Sequence, residues 1–362
     1  MIKLVDRYVG RTALLGVLAV WFGLTLLMSM FTLLDQLGET SGGVSLQSVF
    51  YYVLLKAPGA AYVVFPVASL LGALIGVGAL AAANELVAFR TAGASRLRIS
   101  GSVLGAVLVL TLGVMALGEW VMPPAEAQAR ALKDSRVAAT GRSGASGLLW
   151  IRDGDRFINV DRSIVQSDEA VTDGGTLINV VEFAFSPERS LERVTQAKKA
   201  VHDGQSWQLY DSTERRLDDA AVSRQVSDQR EWSVGFGPEL LRSAVTRPRY
   251  MSMRGIMDQL AYLRQNGLDA RAYNSVLWSK ALYPLTVLAL VLAGMPFLFG
   301  SSRSQSIGLR IFIGMTLGGV FMIVSRTMQN FADAYAMPAF VGTALPSLAL
   351  AAVIILILRR SV

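Results

Sequence analysis

The chain has 362 residues, of which 52% are hydrophobic and 17% charged, with a mean hydropathy of +0.44. Such a composition excludes an ordinary soluble protein and makes membrane spans the first expectation. The absence of cysteine and the single histidine, His202, exclude a disulfide framework, a thiolate metal site and chemistry built on paired histidines. The net charge of +7 is unevenly placed. Between Pro124 and Ala272 there are 21 basic and 21 acidic residues, so the whole excess belongs to the apolar flanks. That distribution speaks for topology control and contact with anionic lipid, and against a nucleic-acid partner.

The short basic stretch Met1 to Arg11 lacks a small-residue cleavage pattern, so a retained first span is expected. Three apolar runs follow, Thr12–Leu34, Ala57–Ala83 and Ile99–Gly118. Three more come after the charged middle, Ala281–Ser302, Ile307–Ser325 and Ala334–Leu358. Each is near the ~20 residues that a helix needs to cross a hydrocarbon core. Span five is the weakest, because its uncharged stretch between Arg310 and Arg326 is short and both arginines must snorkel. Val44–Ala57 reads as an interfacial helix ahead of span two.

Basic residues fix the orientation. Lys3, Arg7 and Arg11 precede span one, and Arg90, Arg96 and Arg98 lie between spans two and three. Arg303 and Arg310 lie between spans four and five, and Arg359 and Arg360 close the chain. The positive-inside rule then puts both termini in the cytoplasm and the Pro124–Ala272 block outside.

Between spans two and three lies a polar interruption, Ala83 to Arg96. Asn84 suits a helix N-cap, Glu85 suits the positive end of the helix dipole, and Gly93 suits a left-handed C-terminal stop. Leu86 and Phe89, three apart, share one face. The pattern fits a docking helix for a cytosolic partner, and equally an ordinary interfacial helix.

The middle block reads as all-β. Asp153-Gly154, Asp173-Gly174-Gly175 and Asp203-Gly204 carry hairpin chemistry, and strand-like runs cover Leu148–Ile151, Phe157–Val160, Leu177–Phe185 and Trp207–Tyr210. Val181, Phe183 and Phe185 alternate with Glu182 and Ala184, which predicts that the aromatic side is buried. Short strands at this spacing fit a sandwich or jelly roll. Asp153-Gly154-Asp155 lacks the later Glu of a calcium loop and reads as a turn, so no metal site is expected. From Ser252 a return helix is predicted, with Ile256, Leu260 and Leu263 as its stripe and Asn266-Gly267 as its stop.

Glycines four apart, Gly72 and Gly76, Gly101 and Gly105, Gly314 and Gly318, predict close helix packing. Pro66, Pro284, Pro296 and Pro346 predict breaks or kinks. Glu119 reads as an interfacial carboxylate beside Trp120. No phosphate-binding G-x-x-x-x-G-K-[ST] loop, G-x-S-x-G or H-E-x-x-H element occurs, and no run of carboxylates sits in mid-span. No catalytic residues and no cofactor are therefore expected, and energy for any transport must come from elsewhere.

Several stretches carry a resemblance in their order and spacing. They are Leu4-Val5-Asp6-Arg7-Tyr8-Val9-Gly10-Arg11, Leu34-Asp35-Gln36-Leu37, Leu70-Leu71-Gly72-Ala73-Leu74-Ile75-Gly76, and Glu85-Leu86-Val87 with Ala92-Gly93. Gly118-Glu119-Trp120-Val121 with Pro123, and Trp278-Ser279-Lys280 with Pro284, complete the set. Over nearly its whole length the chain resembles the LptF/LptG permeases, membrane subunits of the lipopolysaccharide exporter of Gram-negative bacteria, and is nearest to the LptG branch.

The resemblance implies an α-helical membrane protein with six spans, three plus three, and an inserted periplasmic jelly-roll-like β domain. Residues 1–123 would hold spans one to three with a coupling helix at 84–92. Residues 124–272 would hold the β domain and return helix, and residues 273–362 spans four to six. The implied function is a permease subunit that extracts lipopolysaccharide from the inner membrane and hands it to a periplasmic bridge. The implied partners are two copies of a separate ATPase, a paralogous LptF-type permease, and bridge proteins of the LptC/LptA type. Glu85 takes the place of the acid that meets the ATPase, with Leu86, Phe89 and Arg90 around it. Lipid-cavity candidates on spans one, two and five are Phe31, Leu34, Phe65, Phe312, Met315 and Phe321. Gly38 and Glu39 stand where lysines suited to lipid A phosphates are found in this branch, which leaves Lys56 and Lys280 as candidate phosphate contacts. Two other readings stay open, a lipoprotein-release permease and a membrane scaffold whose β domain binds partners.

Overall fold

The computed structural model describes residues 4–38, 45–139, 148–161, 176–188, 190–203, 206–218, 221–238, 247–299, 307–335 and 337–360. Glu39, Val44, the Asp173-Gly174-Gly175 turn, Gly204, Ser302 and Arg303 therefore lie outside the described residues. The chain forms two compact units. One comprises Met1–Ser41, Ser45–Ala125 and Arg271–Val362, and the other Gly42–Val44 and Glu126–Ala270.

The first unit is helical: α1 (Leu4–Gly38), α2 (Leu46–Ala82), α3 (Glu85–Thr91), α4 (Arg96–Ala116), a π-turn (Leu117–Val121) and the start of α5 (Met122–Ala139). After the sheet come α7 (Arg271–Ala281), α8 (Tyr283–Gly294), α9 (Pro296–Phe299), α10 (Ile307–Ala334) and α11 (Ala339–Arg360). Among the described residues five helices are long and apolar enough to cross a membrane, α4 running on into α5 as one of them. The pair α7 and α8–α9, bent by 58°, makes a sixth if counted as one broken span.

The predicted interfacial helix ahead of span two is not separate. Ser45 caps it by accepting from Ser48 N–H, and it runs straight into the span. At 1.5 Å per residue, α2 is about 55 Å long, well beyond a ~30 Å core. Its polar-flanked first turns add length because nothing between Tyr51 and Lys56 breaks a helix. Pro58 and Pro66 are absorbed within α2 and Pro346 within α11, whereas Pro284 and Pro296 stand in the first turns of α8 and α9. A proline without an N–H costs least in a first turn, so the breaks fall there.

Helix α2 is the hub, packing against α1, α8 and α10. Its seam with α1 is made by glycine. A Cβ on Gly72 would stand 2.3 Å from Val17 Cα, one on Gly76 2.6 Å from the Thr12 carbonyl oxygen, and one on Gly16 2.4 Å from the Gly72 carbonyl oxygen. The two backbones thus touch, as the Gly72/Gly76 spacing predicts. Trp21 spans the same seam, donating its indole N–H to the Ala61 carbonyl (2.8 Å) and meeting Phe65 edge-on. Gly101 and Gly105 differ, since a Cβ at either meets nothing within 4 Å.

Among its described residues the second unit holds six antiparallel strands: β1 (Leu148–Asp153), β2 (Arg156–Asp161), β3 (Thr176–Phe185), β4 (Leu191–His202), β5 (Trp207–Asp218) and β6 (Ala221–Trp232). They form one sheet in the order β1-β2-β3-β4-β5-β6. Each described strand pairs with its neighbours in sequence, a meander. The β1–β2 turn is the predicted one, with Gly154 at φ +62 and Asp153 paired to Arg156 at 2.6 Å. Helix α6 (Met253–Gln265) starts at Ser252 and ends before Gly267 (φ +62). It buries Ile256, Leu260 and Leu263 as predicted. Its Tyr262 hydroxyl accepts from Arg152 N–H (3.2 Å) and donates to the Arg152 carbonyl (2.7 Å). Burial pushes that hydroxyl above the usual phenol range, which keeps it a donor.

The two faces of β3 are the reverse of those predicted. Val180, Glu182 and Ala184 point inward, while Val181, Phe183 and Phe185 are only half-buried. The cause is Asn179, held at φ 54 and skipped in the pairing with β4, which inverts the in–out parity beyond Leu177. Asp211 (φ 50) does the same on β5. Inside, the Glu182 carboxylate accepts the Trp232 indole N–H and lies 3.7 Å from Arg193, so its burial is compensated. Outside, Phe183 stacks on Trp150 and Phe185 meets Phe157 edge-on.

Candidate functional site

Helix α3 leaves α2 through Ala83 and Asn84. Asn84 makes no side-chain cap, contrary to expectation, and sits at φ 61. The left-handed turn does the work instead, since a short polar residue tolerates that region. Gly93, at φ 91, ends the helix as predicted, with its N–H donating to Arg90 O and that of Ala94 to Phe89 O.

The apolar face of α3 is already occupied. Leu86 is buried in the helical core with Val9 and Ile99, and Phe89 packs on that core with its ring edge-on to Tyr8 at 6.2 Å. The Tyr8 hydroxyl of α1 faces the Glu85 carboxylate. What remains for a partner is half-exposed Glu85, exposed Arg90, and Val87, which is 55% exposed and was not singled out by the sequence. The absence of Val87 from the i, i+3 stripe was the available signal.

The six lipid-cavity candidates divide. Phe31 (56% exposed) and Leu34 lie on an open apolar face of α1, and Phe312 (61% exposed) and Met315 on one of α10. Phe65 and Phe321 lie inside the helical core. Both open faces belong to helices that pack on α2.

Lys56 is half-buried on α2. Lys280 is only 6% exposed, and sequence reading missed what it joins. At the π-turn the Met122 N–H bonds the Leu117 carbonyl, five residues back. Pro123 and Pro124, with no N–H to offer the preceding turn, favour this wider winding. Lys280 Nζ donates to the Gly118 carbonyl (3.4 Å), lies 3.8 Å from the Glu119 carboxylate and sits 6.0 Å from the centre of the Tyr62 ring. Tyr62 stacks on Tyr283 at 4.5 Å, and the Tyr283 hydroxyl donates to the Tyr62 carbonyl. A Cβ at Gly118 would stand 2.4 Å from the Tyr62 ring, so only glycine admits it. The knot ties α2, the π-turn and the α7–α8 bend together. For Lys280 to meet a phosphate it must first leave Glu119.

A double-mutant comparison follows from this geometry. Glu119→Gln strands a buried ammonium and is expected to cost about 1–3 kcal/mol, less than a fully buried pair because Glu119 keeps some water. Glu119→Gln with Lys280→Met removes both charges and is expected to recover most of it. Thermal unfolding of the detergent-purified chain reads the difference. Equal losses in the single and double variants would show that the pair is not coupled.

A set of apolar membrane-length helices, with an antiparallel sheet inserted in sequence between the halves and a short amphipathic helix between two spans, defines a multi-pass membrane protein. The family model described as "Lipopolysaccharide export system permease LptF/LptG" matches residues 7–360. The chain is 31% identical over 346 residues to the lipopolysaccharide export system permease protein LptG of Escherichia coli K12, covering 94% of each. It is 30% identical over 358 residues to the protein of the same name from Haemophilus influenzae, covering 96% of each. The chain belongs to the LptF/LptG family of transport permeases.

Proposed function

We propose that this chain is an inner-membrane permease subunit that extracts lipopolysaccharide and passes it to a periplasmic bridge, driven by ATP hydrolysis on a separate subunit. Two copies of that ATPase clamp α3 and its counterpart on a paralogous LptF-type permease. The α3 end faces the cytoplasm and the β unit the periplasm, where it adjoins bridge proteins of the LptC/LptA type. Family membership over nearly the whole chain supports the substrate.

The observation that carries the mechanism is the seating of α3. Leu86, Phe89 and the Tyr8–Glu85 contact fasten it to the core and to α1, leaving Glu85, Val87 and Arg90 outward. Force applied there reaches α1, whose Phe31 and Leu34 face outward as Phe312 and Met315 do on α10. Phe65 and Phe321 complete the set from inside the helical core. Lys56, and Lys280 once released from Glu119, are the phosphate contacts in this reading.

The test is co-purification in detergent with the ATPase and the second permease, followed by mass spectrometry of retained lipid. Lipopolysaccharide is expected with the native complex. Phe31→Asp with Phe312→Asp is expected to lower retention about tenfold, since each places a charge on an apolar lining. Retention unchanged in that variant, or a chain that recruits no ATPase, refutes the reading and favours a scaffold. A milder variant probes the seating. Tyr8→Phe removes only the hydroxyl that faces Glu85. It is expected to leave assembly intact while lowering lipid-stimulated ATP hydrolysis about two- to fivefold. An unchanged rate would show that this contact carries no force.

A further inference from the structure

We infer that the groove between α1 and α4 is a binding site for one resident anionic glycerophospholipid, of the phosphatidylglycerol type, held at the same membrane edge as α3. The groove has a volume of about 890 Å³ and is lined by Asp6, Arg7, Gly10, Arg11 and Leu14 on one side. Arg98, Gly101, Ser102, Gly105, Ala106 and Val109 line the other. Its size falls in the ~300–1,000 Å³ range of ligand sites.

Its chemistry is graded along its length. Arg98 is already neutralised, donating to both Asp6 oxygens at 3.0 and 2.6 Å, and Ser102 also donates to Asp6. Arg7 and Arg11 are exposed, one helical turn apart on the same face. Neither has a hydrogen bond or ion pair among the described residues. Two uncompensated guanidiniums therefore flank one end, a fork suited to a phosphodiester. The other end is Leu14, Ala106 and exposed Val109. The floor between them is Gly101 and Gly105, where a Cβ would meet nothing within 4 Å. The absent side chains leave a channel along the helix that an acyl chain fills. A phosphate at the arginines and a hydrocarbon tail over the glycines match this order. A free phosphate matches only half, and an uncharged helix from another protein leaves both arginines without a partner. The site stands apart from α3, the open faces of α1 and α10, and the reading of the transported lipid.

The experiment is native mass spectrometry of the full chain in detergent, titrated with dioleoyl phosphatidylglycerol or dioleoyl phosphatidylcholine. One phosphatidylglycerol is expected to bind with about tenfold preference. Arg7→Gln with Arg11→Gln is expected to abolish the preference. Gly105→Leu keeps every charge but fills the channel, and is expected to weaken phosphatidylglycerol binding about tenfold; Gly101→Leu serves if that variant does not fold. Inorganic phosphate at millimolar concentration is expected not to compete. Equal binding of the two lipids overturns the proposal. So does unchanged binding in the folded glycine variant, which would mean general attraction to basic residues, and so does displacement by inorganic phosphate.

Discussion

Glu85→Lys is expected to cut lipopolysaccharide export by at least about tenfold while the chain itself stays folded. The side chain is half-exposed at the first turn of α3, so its replacement costs little packing. A lysine there opposes the positive end of the helix and repels any basic partner residue, and like charges brought together at an interface are strongly unfavourable. Two measurements separate the effects. Co-purification with the ATPase reads association, and lipid-stimulated hydrolysis in the purified complex reads coupling. Glu85→Gln keeps the shape and the acceptor for Tyr8, so it should fall between the native chain and the lysine variant. Normal export by Glu85→Lys would remove α3 from the mechanism.

Gly72→Val is expected to be the most damaging single change within the membrane unit. The atoms its Cβ would strike are Val17 Cα and N and the Gly16 carbonyl, all backbone, at 2.3 to 2.7 Å. No rotamer relieves such a clash, so α1 must move off α2 along the whole seam. Overpacking commonly costs about 1–3 kcal/mol, and a backbone clash belongs at or above the upper end. A marked fall in the thermal midpoint and a loss of monodisperse protein in detergent are the expected readouts. Gly101→Ala, at a glycine of the same i, i+4 spacing, is expected to leave the midpoint unchanged because its Cβ enters open space. Equal behaviour of the two variants would mean that the seam is less close than the structure shows.

That pair of glycines marks a boundary of what residues alone disclose. Spacing identifies a face without side chains, but not whether a backbone or a void lies opposite. The long apolar runs were legible because crossing a bilayer demands little beyond length and hydropathy. Their ends were not, and Leu46 to Lys56 joined span two because nothing in that stretch stops a helix. Hairpin chemistry at Asp153-Gly154 was readable for a local reason: one residue at positive φ closes the turn. The faces of β3 were misread for an equally local one, a single residue, Asn179, at positive φ that shifts the alternation. Lys280 and Glu119 lie far apart in sequence, in two stretches that nothing local links, so only the fold could bring them together. For α3, the stripe of Leu86 and Phe89 was correctly read as apolar. That it packs inward, and that Val87 is what faces out, depended on where α1 begins.

The link from α2 into α3 is only Ala83 and Asn84, with Asn84 wound the wrong way for a helix. A second connection runs to a helix more than seventy residues upstream, through two rings and the hydroxyl that faces Glu85. A load on α3 would therefore be delivered to the first span as well as the second, and the chain's covalent order is an incomplete guide to which of its parts move together.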